Sequence, residues 1–219
     1  MSRNGTKTPR ASTQERLSRT GDNLPNVIQY LRERHPDRLH HIVTALANRV
    51  PRLEDVQAEL LADGRLMLQI QDGPFERPIL SKFASDGTLK MLAYLTVLYD
   101  PAPPPFIGIE EPENHLHARL LPELAEECRR ASTGSQLIVT KHSPYFANGL
   151  RASEAWMMYR DQQGHTQAKR AGDIDLLDTV LRADANLGHL WMQGYFGVGD
   201  PLRRGDAGTQ PGGALDGPH

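Results

Sequence analysis

The chain has 219 residues, which is long enough for one domain with a substantial apolar core. Its 25 Lys and Arg residues nearly balance 27 Asp and Glu residues, and the net charge of -2 argues against a surface dominated by nucleic-acid binding. Cys128 is the only cysteine, so an internal disulfide is excluded and a reducing cytoplasm is the expected setting. No apolar run approaches the roughly 20 residues of a membrane span, so no membrane partner is expected.

Polar segments flank the predicted folded domain, which covers residues 23–199. Residues 1–22 contain few apolar side chains and are predicted to form a disordered arm. Residues 200–219 have a similar polar composition and are predicted to form a disordered tail.

Hydrophobic periodicity and turn signals predict the elements of this domain. In chain order they are helices over 23–35 and 36–50, a half-buried strand over 65–71, a buried helix over 89–99, a buried strand over 106–109, a helix over 118–131, a buried strand over 136–140, a hairpin of 155–160 with 166–171, and a last helix over 174–181.

Residues 106–140 follow the pattern strand, helix, strand, which predicts a βαβ unit with two parallel strands. Ligands of such sheets bind at the carboxyl ends of the strands. Polar clusters follow both strands, EEPE at 110–113 and TKHSP at 140–144. The sequence therefore predicts a site where these two strands end.

The first cluster places Glu110, Glu111 and Glu113 directly after an apolar strand. Mg²⁺ prefers hard oxygen ligands, and nucleoside triphosphatases hold this ion with a carboxylate at the end of a buried strand. An adjacent second carboxylate can polarise an attacking water. The alternative is a solvated acidic turn that stabilises the N-terminus of the following helix.

Two further motifs lie on either side of this strand in the sequence. His142, just past the next strand, could reach a γ-phosphate or orient a water, although it could also be an ordinary turn residue. Ser85, Asp86, Gly87 and Thr88 precede the buried helix and could form an anion site from backbone N–H groups and a hydroxyl. The simpler interpretation of this stretch is an N-cap made by Asp86 or Thr88.

His115 and His117 beside the glutamates suggest a zinc site, but zinc usually takes three or four converging protein ligands. A His-x-His turn supplies only two, so the zinc interpretation is disfavoured.

In this order, the three motifs resemble the ABC-type ATPase module of the SMC, RecF and predicted AAA ATPase families. The resemblance implies an α/β, P-loop NTPase-like fold, here its C-terminal lobe, with parallel strands flanked by helices and a small hairpin after the switch histidine. It also implies ATP and Mg²⁺ as cofactors.

The resemblance also assigns roles to individual residues. Phe106 to Glu111 resembles Walker B, in which Glu110 takes the position that holds Mg²⁺ through water and Glu111 that of the catalytic glutamate. His142 matches the switch histidine. The signature loop, which contacts nucleotide in trans, and the D-loop match two further sets of residues: Ser85, Asp86, Gly87 and Thr88, and Asn114, His115, Leu116 and His117.

The phosphate-binding motif of this family, G-x-x-x-x-G-K-[ST], does not occur in the 219 residues. The nearest string, residues 5–8 (GTKT), lacks the Gly-Lys pair. The expectation is therefore a partial domain that needs a P-loop-bearing N-terminal half or a second ATPase protomer as its partner. A DNA or effector partner could act through the full assembly.

Two other hypotheses remain open from the sequence. The chain could be a non-catalytic remnant or interaction module of the same fold, since a partial domain leaves sheet edges and apolar faces exposed. It could also be a metal-dependent nuclease or phosphatase that uses the residues of 110–117.

Overall fold

The computed structural model describes residues 14–114, 116–161, 163–174 and 186–198. The chain divides into two compact units, Met1–His142 and Ser143–His219. Most of the predicted arm, the predicted tail and most of the predicted helix over 174–181 lie outside the described residues.

The first unit combines helices with an antiparallel sheet and a parallel strand pair. Its elements are α1 (Leu24–Arg34), α2 (Pro36–Ala47), β1 (Leu53–Leu60), β2 (Leu66–Asp72), β3 (Ile79–Leu80), α3 (Asp86–Leu98), β4 (Phe106–Glu110), α4 (Leu121–Ala131) and β5 (Gln136–Thr140).

Helix α3 forms part of the core of this unit and begins three residues before the predicted start at Leu89. Ser85 caps it, because the Ser85 hydroxyl accepts the N–H of Thr88 at 3.1 Å. The cap is therefore Ser85, and not Asp86 or Thr88 as the sequence suggested.

The antiparallel sheet has the order β1-β2-β3, and only its middle strand β2 was predicted. Strand β1 pairs along its length with β2, for example Val56 with Ile70, and both of these side chains are buried. The pairing shifts register between Leu53 and Asp55, so the apolar residues of β1 do not alternate strictly. Because of this irregularity, β1 lacks the two-residue alternation of apolar side chains by which a strand is predicted from sequence.

Strands β4 and β5 are parallel, in register from Phe106 with Gln136 to Glu110 with Thr140. The predicted α/β arrangement with a parallel pair is thus confirmed. The prediction that both strands are buried is wrong, because Phe106 and Ile138 are each 52% exposed. Within the part of the chain that the structure describes, one face of this two-stranded sheet is exposed, while Ile107 on the other face is buried.

The helix between these strands starts later than the predicted Ala118. Residues Ala118–Leu120 form a 3-10 turn, and the α-helix begins at Leu121. Pro122 consequently lies in the first turn, where its missing N–H leaves no intrahelical bond unmade.

The buried carboxylate of Glu127 connects α4 to Arg49, which follows α2, and to Tyr99, which follows α3. The side chain of Glu127 is 1% exposed. Its Oε1 accepts hydrogen bonds from Arg49 at 2.7 Å and from Arg130 at 3.0 Å, and its Oε2 accepts one from the Tyr99 hydroxyl at 2.9 Å. Burial is the main cause of the raised pKa of Tyr99, and the hydrogen bond with Glu127 raises this pKa further. These partners satisfy a charge that would otherwise strongly oppose burial.

The second unit contains α5 (Pro144–Ala147), β6 (Trp156–Arg160), β7 (Thr166–Arg170) and α6 (Leu187–Met192). The predicted hairpin is present, since β6 and β7 pair antiparallel. A small apolar core joins the hairpin to α6, and its buried residues are Ala155, Met157, Ala171, Leu187, Leu190 and Phe196.

Close packing between α5 and α6 requires a glycine in α6. A Cβ atom added to Gly188 would lie 1.9 Å from the carbonyl oxygen of Pro144. The N–H of Gly188 donates to the side chain of Asn148 at 2.9 Å, which fixes the two helices at this distance.

Among the described residues, the helices are too short or too polar for any of them to cross a membrane.

Candidate functional site

The carboxyl ends of β4 and β5 lie side by side, since Glu110 and Thr140 are register partners. The backbone N–H of Glu111, the residue after β4, donates to the carbonyl of Thr140 at 2.9 Å. The polar residues that follow each strand therefore start from the same edge of the sheet.

Glu111 turns sharply at this edge, with a φ of 43° in the left-handed region. A non-glycine residue in this conformation is uncommon and costs on the order of 1–3 kcal/mol, and such residues cluster at functional sites. The amide of Asn114 donates to Oε2 of Glu111 at 3.0 Å and restrains the carboxylate. The strained backbone and this hydrogen bond together fix where the Glu111 side chain points.

His142 faces this carboxylate from the loop after β5. Its Nε2 lies 3.7 Å from Oε1 of Glu111, and the two side chains form an ion pair whenever the imidazole is protonated. The side chain of His142 is 84% exposed and that of Glu111 is 49% exposed. Both groups are thus accessible to a ligand at the edge of the sheet.

Glu113 connects the two loops through the backbone. Its Oε1 accepts the N–H of His142, and its Oε2 is buried with no hydrogen-bond partner among the described residues. This contact was not predicted from the sequence, because 29 residues separate the donor from the acceptor.

The neighbours of Glu113 include partly buried ionisable groups. Burial lowers the pKa of Lys141, and the negative charge of Glu113 partly offsets this effect. Burial raises the pKa of Tyr94 on α3 to about 12, with smaller contributions from Cys128 and Glu113. Low solvation strengthens the electrostatic interactions of the Glu113 carboxylate with its neighbours.

The predicted signature residues lie at the start of α3. Ser85 and Asp86 are exposed, and the side chain of Ser85 contacts Thr88, with 2.7 Å between their hydroxyl oxygens. Gly87 and Thr88 belong to the first turn of the helix. The hydrogen bonds of Ser85 are local and do not join this loop to Glu111 or His142.

The predicted D-loop residues have separate environments. Asn114 holds Glu111, Leu116 is buried, and His115 lies outside the described residues. The Nδ1 atom of His117 accepts the N–H of Arg119 at 3.2 Å and caps the following 3-10 turn.

Carboxylate oxygens of the kind that Mg²⁺ prefers are present at the strand edge, although among the described residues no group of three or more His, Cys, Asp or Glu is arranged to hold a metal ion. Glu110 is exposed at the last position of β4, and the accessible Glu111 follows it in the sequence. Mg²⁺ usually keeps several waters and takes only one or two carboxylates in addition to phosphate oxygens.

Comparison with known proteins places the chain in a family. The family model described as "AAA domain, putative AbiEii toxin, Type IV TA system" matches residues 19–148. No curated protein matches the chain.

Solved structures share the fold at low identity. One, from work described as "Structural biochemistry of ATP-driven dimerization and DNA stimulated activation of SMC ATPases", is 13% identical with a TM-score of 0.50, and the match covers 72% of this chain and 96% of that one. An Smc head domain from Pyrococcus furiosus, with an extended coiled coil and bound to the C-terminal domain of ScpA, is 14% identical with a TM-score of 0.52. That match covers 70% of this chain but only 39% of the Pyrococcus chain.

The parallel strand pair and the similarity to SMC heads define the class of fold as P-loop NTPase-like. The family model covers more than half of the sequence, and the chain belongs to this AAA domain family. Membership in the family supports a nucleotide-binding, ATPase-type function.

Proposed function

We propose that the chain is the C-terminal half of an ABC-type ATPase and contributes the magnesium-binding and water-activating side of its ATP hydrolysis site. The observation that carries this proposal is the pairing of Glu111 with His142 where two parallel strands end, with 3.7 Å between Oε1 and Nε2. Ligands of parallel sheets bind at such an edge, beyond the carboxyl ends of the strands.

Glu111 is the proposed general base that polarises the attacking water. Its carboxylate is accessible, and the amide of Asn114 holds one oxygen while the other faces His142. His142 is the proposed partner of the γ-phosphate. Glu110 is proposed to hold Mg²⁺ through water, and the ion when bound would neutralise charge on the phosphate oxygens.

The signature residues are proposed to act on the nucleotide of an opposite protomer. Ser85, Asp86, Gly87 and Thr88 stand at the N-terminus of a 13-residue helix, where free N–H groups and the helix dipole favour a negatively charged ligand. The Asn114–His117 segment is proposed as the D-loop at the same dimer interface. ATP-driven dimerisation is described for the SMC ATPase neighbour, and we propose it for the completed assembly here.

A P-loop-bearing half is the proposed partner. In this fold class the P-loop amides and lysine supply most contacts to the β- and γ-phosphates, and the 219 residues contain no G-x-x-x-x-G-K-[ST] segment. The open face of β4 and β5, with Phe106 and Ile138 half exposed, supports a missing neighbour. A DNA or effector partner of the full assembly, and a cytoplasmic location, are further parts of this proposal.

The test is Mg²⁺-dependent ATP hydrolysis by this chain, by a separately expressed P-loop-bearing half, and by the two together. We expect hydrolysis only from the mixture, with a rate that peaks at equimolar ratio and rises faster than linearly with concentration because two assemblies must dimerise. A stable complex that never hydrolyses ATP would contradict the proposal and favour a non-catalytic interaction module, which the same exposed apolar face would also serve.

A further inference from the structure

Glu113 is the acidic residue of this edge to which the proposed chemistry gives no role. It lies on the loop after β4, and its Oε1 accepts the backbone N–H of His142 on the loop after β5. The contact is a hydrogen bond to a charged acceptor, which is stronger than one between neutral groups.

The carboxylate of Glu113 is partly buried. Its Oε2 is buried, and its charge contributes to the shifted pKa values of Lys141 and Tyr94, for which burial is the main cause. Moving a carboxylate out of water is unfavourable unless the carboxylate makes strong contacts. The bond to the His142 N–H is such a contact, and it joins loops that are 29 residues apart.

The backbone contact matters because the His142 side chain has little packing of its own. With 84% of that side chain exposed, few surrounding atoms restrain the imidazole. The backbone of residue 142 sets the point from which the imidazole reaches Glu111, and the hydrogen bond from this backbone goes to Glu113.

We propose that Glu113 is a positioning residue, whose carboxylate holds the backbone of His142 so that the imidazole faces Glu111. This inference rests on the proposed roles of His142 and Glu111 in ATP hydrolysis. Glu113 itself touches neither water nor phosphate in this assignment and acts through His142.

The first experiment measures the His142 N–H directly, in the ¹⁵N-labelled full chain without nucleotide or partner. Glu113→Ala should accelerate hydrogen exchange of this N–H by about tenfold and move its amide resonance toward that of an unbonded amide. Glu113→Gln retains an acceptor oxygen but not the charge, and should give values between those of Glu113→Ala and the wild type. Glu126→Ala, which removes an exposed carboxylate from α4, is the matched control and should change neither quantity.

The second experiment measures hydrolysis by the completed assembly. Glu113→Ala should lower kcat by about 10- to 100-fold, because a displaced catalytic group slows the reaction while KM for ATP remains nearly constant. Glu113→Gln should recover part of this loss, because its amide oxygen can still accept the N–H of His142.

The two experiments separate failure of this inference from failure of the proposed function. An unchanged His142 N–H in Glu113→Ala overturns the positioning role whatever the hydrolysis rate. A displaced N–H with unchanged kcat overturns it as well. If no assembly hydrolyses ATP, the ATPase proposal fails and the positioning role in hydrolysis fails with it, while the exchange data still show whether Glu113 holds the backbone of residue 142.

Discussion

Replacing Glu111 by Gln should lower kcat of the completed ATPase assembly by about 10²–10⁴-fold, the usual contribution of a positioned general base. Gln keeps the volume of the side chain and one acceptor oxygen for Asn114, but it cannot accept a proton from water. Binding of ATP does not require this proton transfer, so nucleotide-driven dimerisation should persist. Single-turnover kinetics measure the rate of hydrolysis, and light scattering in the presence of ATP measures dimerisation.

The control for this variant is Glu126→Gln, which makes the same chemical change on the exposed surface of α4. It should leave both the rate and dimerisation unchanged. Turnover by Glu111→Gln at the wild-type rate would show that Glu111 is not the base.

Replacing Glu127 by Ala should lower the free energy of unfolding of the chain by about 3–5 kcal/mol, the range found when one partner of a buried ion pair is removed. The side chain of Arg49 is only 9% exposed and would keep only Glu123, at 2.9 Å, as an acidic partner, and the Tyr99 hydroxyl would lose its acceptor. The measurement is the urea midpoint and slope of the isolated chain, followed by circular dichroism.

The adjacent residue again gives the matched control. Glu126 is 54% exposed and lies 3.9 Å from Arg130, so Glu126→Ala should change the free energy of unfolding by no more than about 0.5 kcal/mol. Equal effects of the two substitutions would contradict the structural role of the Glu127 network.

The sequence predicted elements whose signals are local. The helices α1 to α4, the parallel pair and the hairpin follow from periodicity, because each buries one face or stripe against the rest of its unit. Strand β1 was missed because its register shift breaks the alternation. The exposure of Phe106 and Ile138 could not be predicted either, since coverage of a sheet face depends on which elements pack against it.

Prediction of the candidate site was also limited to features that are local in the sequence. The strand ends that carry Glu111 and His142 were expected to lie together, because the ends of parallel strands share one edge. The contact of Glu113 with the His142 backbone and that of Arg49 with Glu127 span 29 and 78 residues. Single-sequence patterns contain no information about such pairs, because each depends on the packing of distant segments.

A calorimetric titration of MgATP into the full chain alone, and into the chain with its P-loop-bearing half, tests the central claim most directly. The claim is that this chain holds the carboxylates of a hydrolysis site but lacks the loop that grips the phosphates. Glu110, Glu111 and Glu113 lie within four residues at the end of β4 and their negative charges repel a highly charged nucleotide, so we expect a Kd weaker than about 1 mM for the chain alone and one in the micromolar range for the assembly. Micromolar binding by the isolated chain would contradict the account.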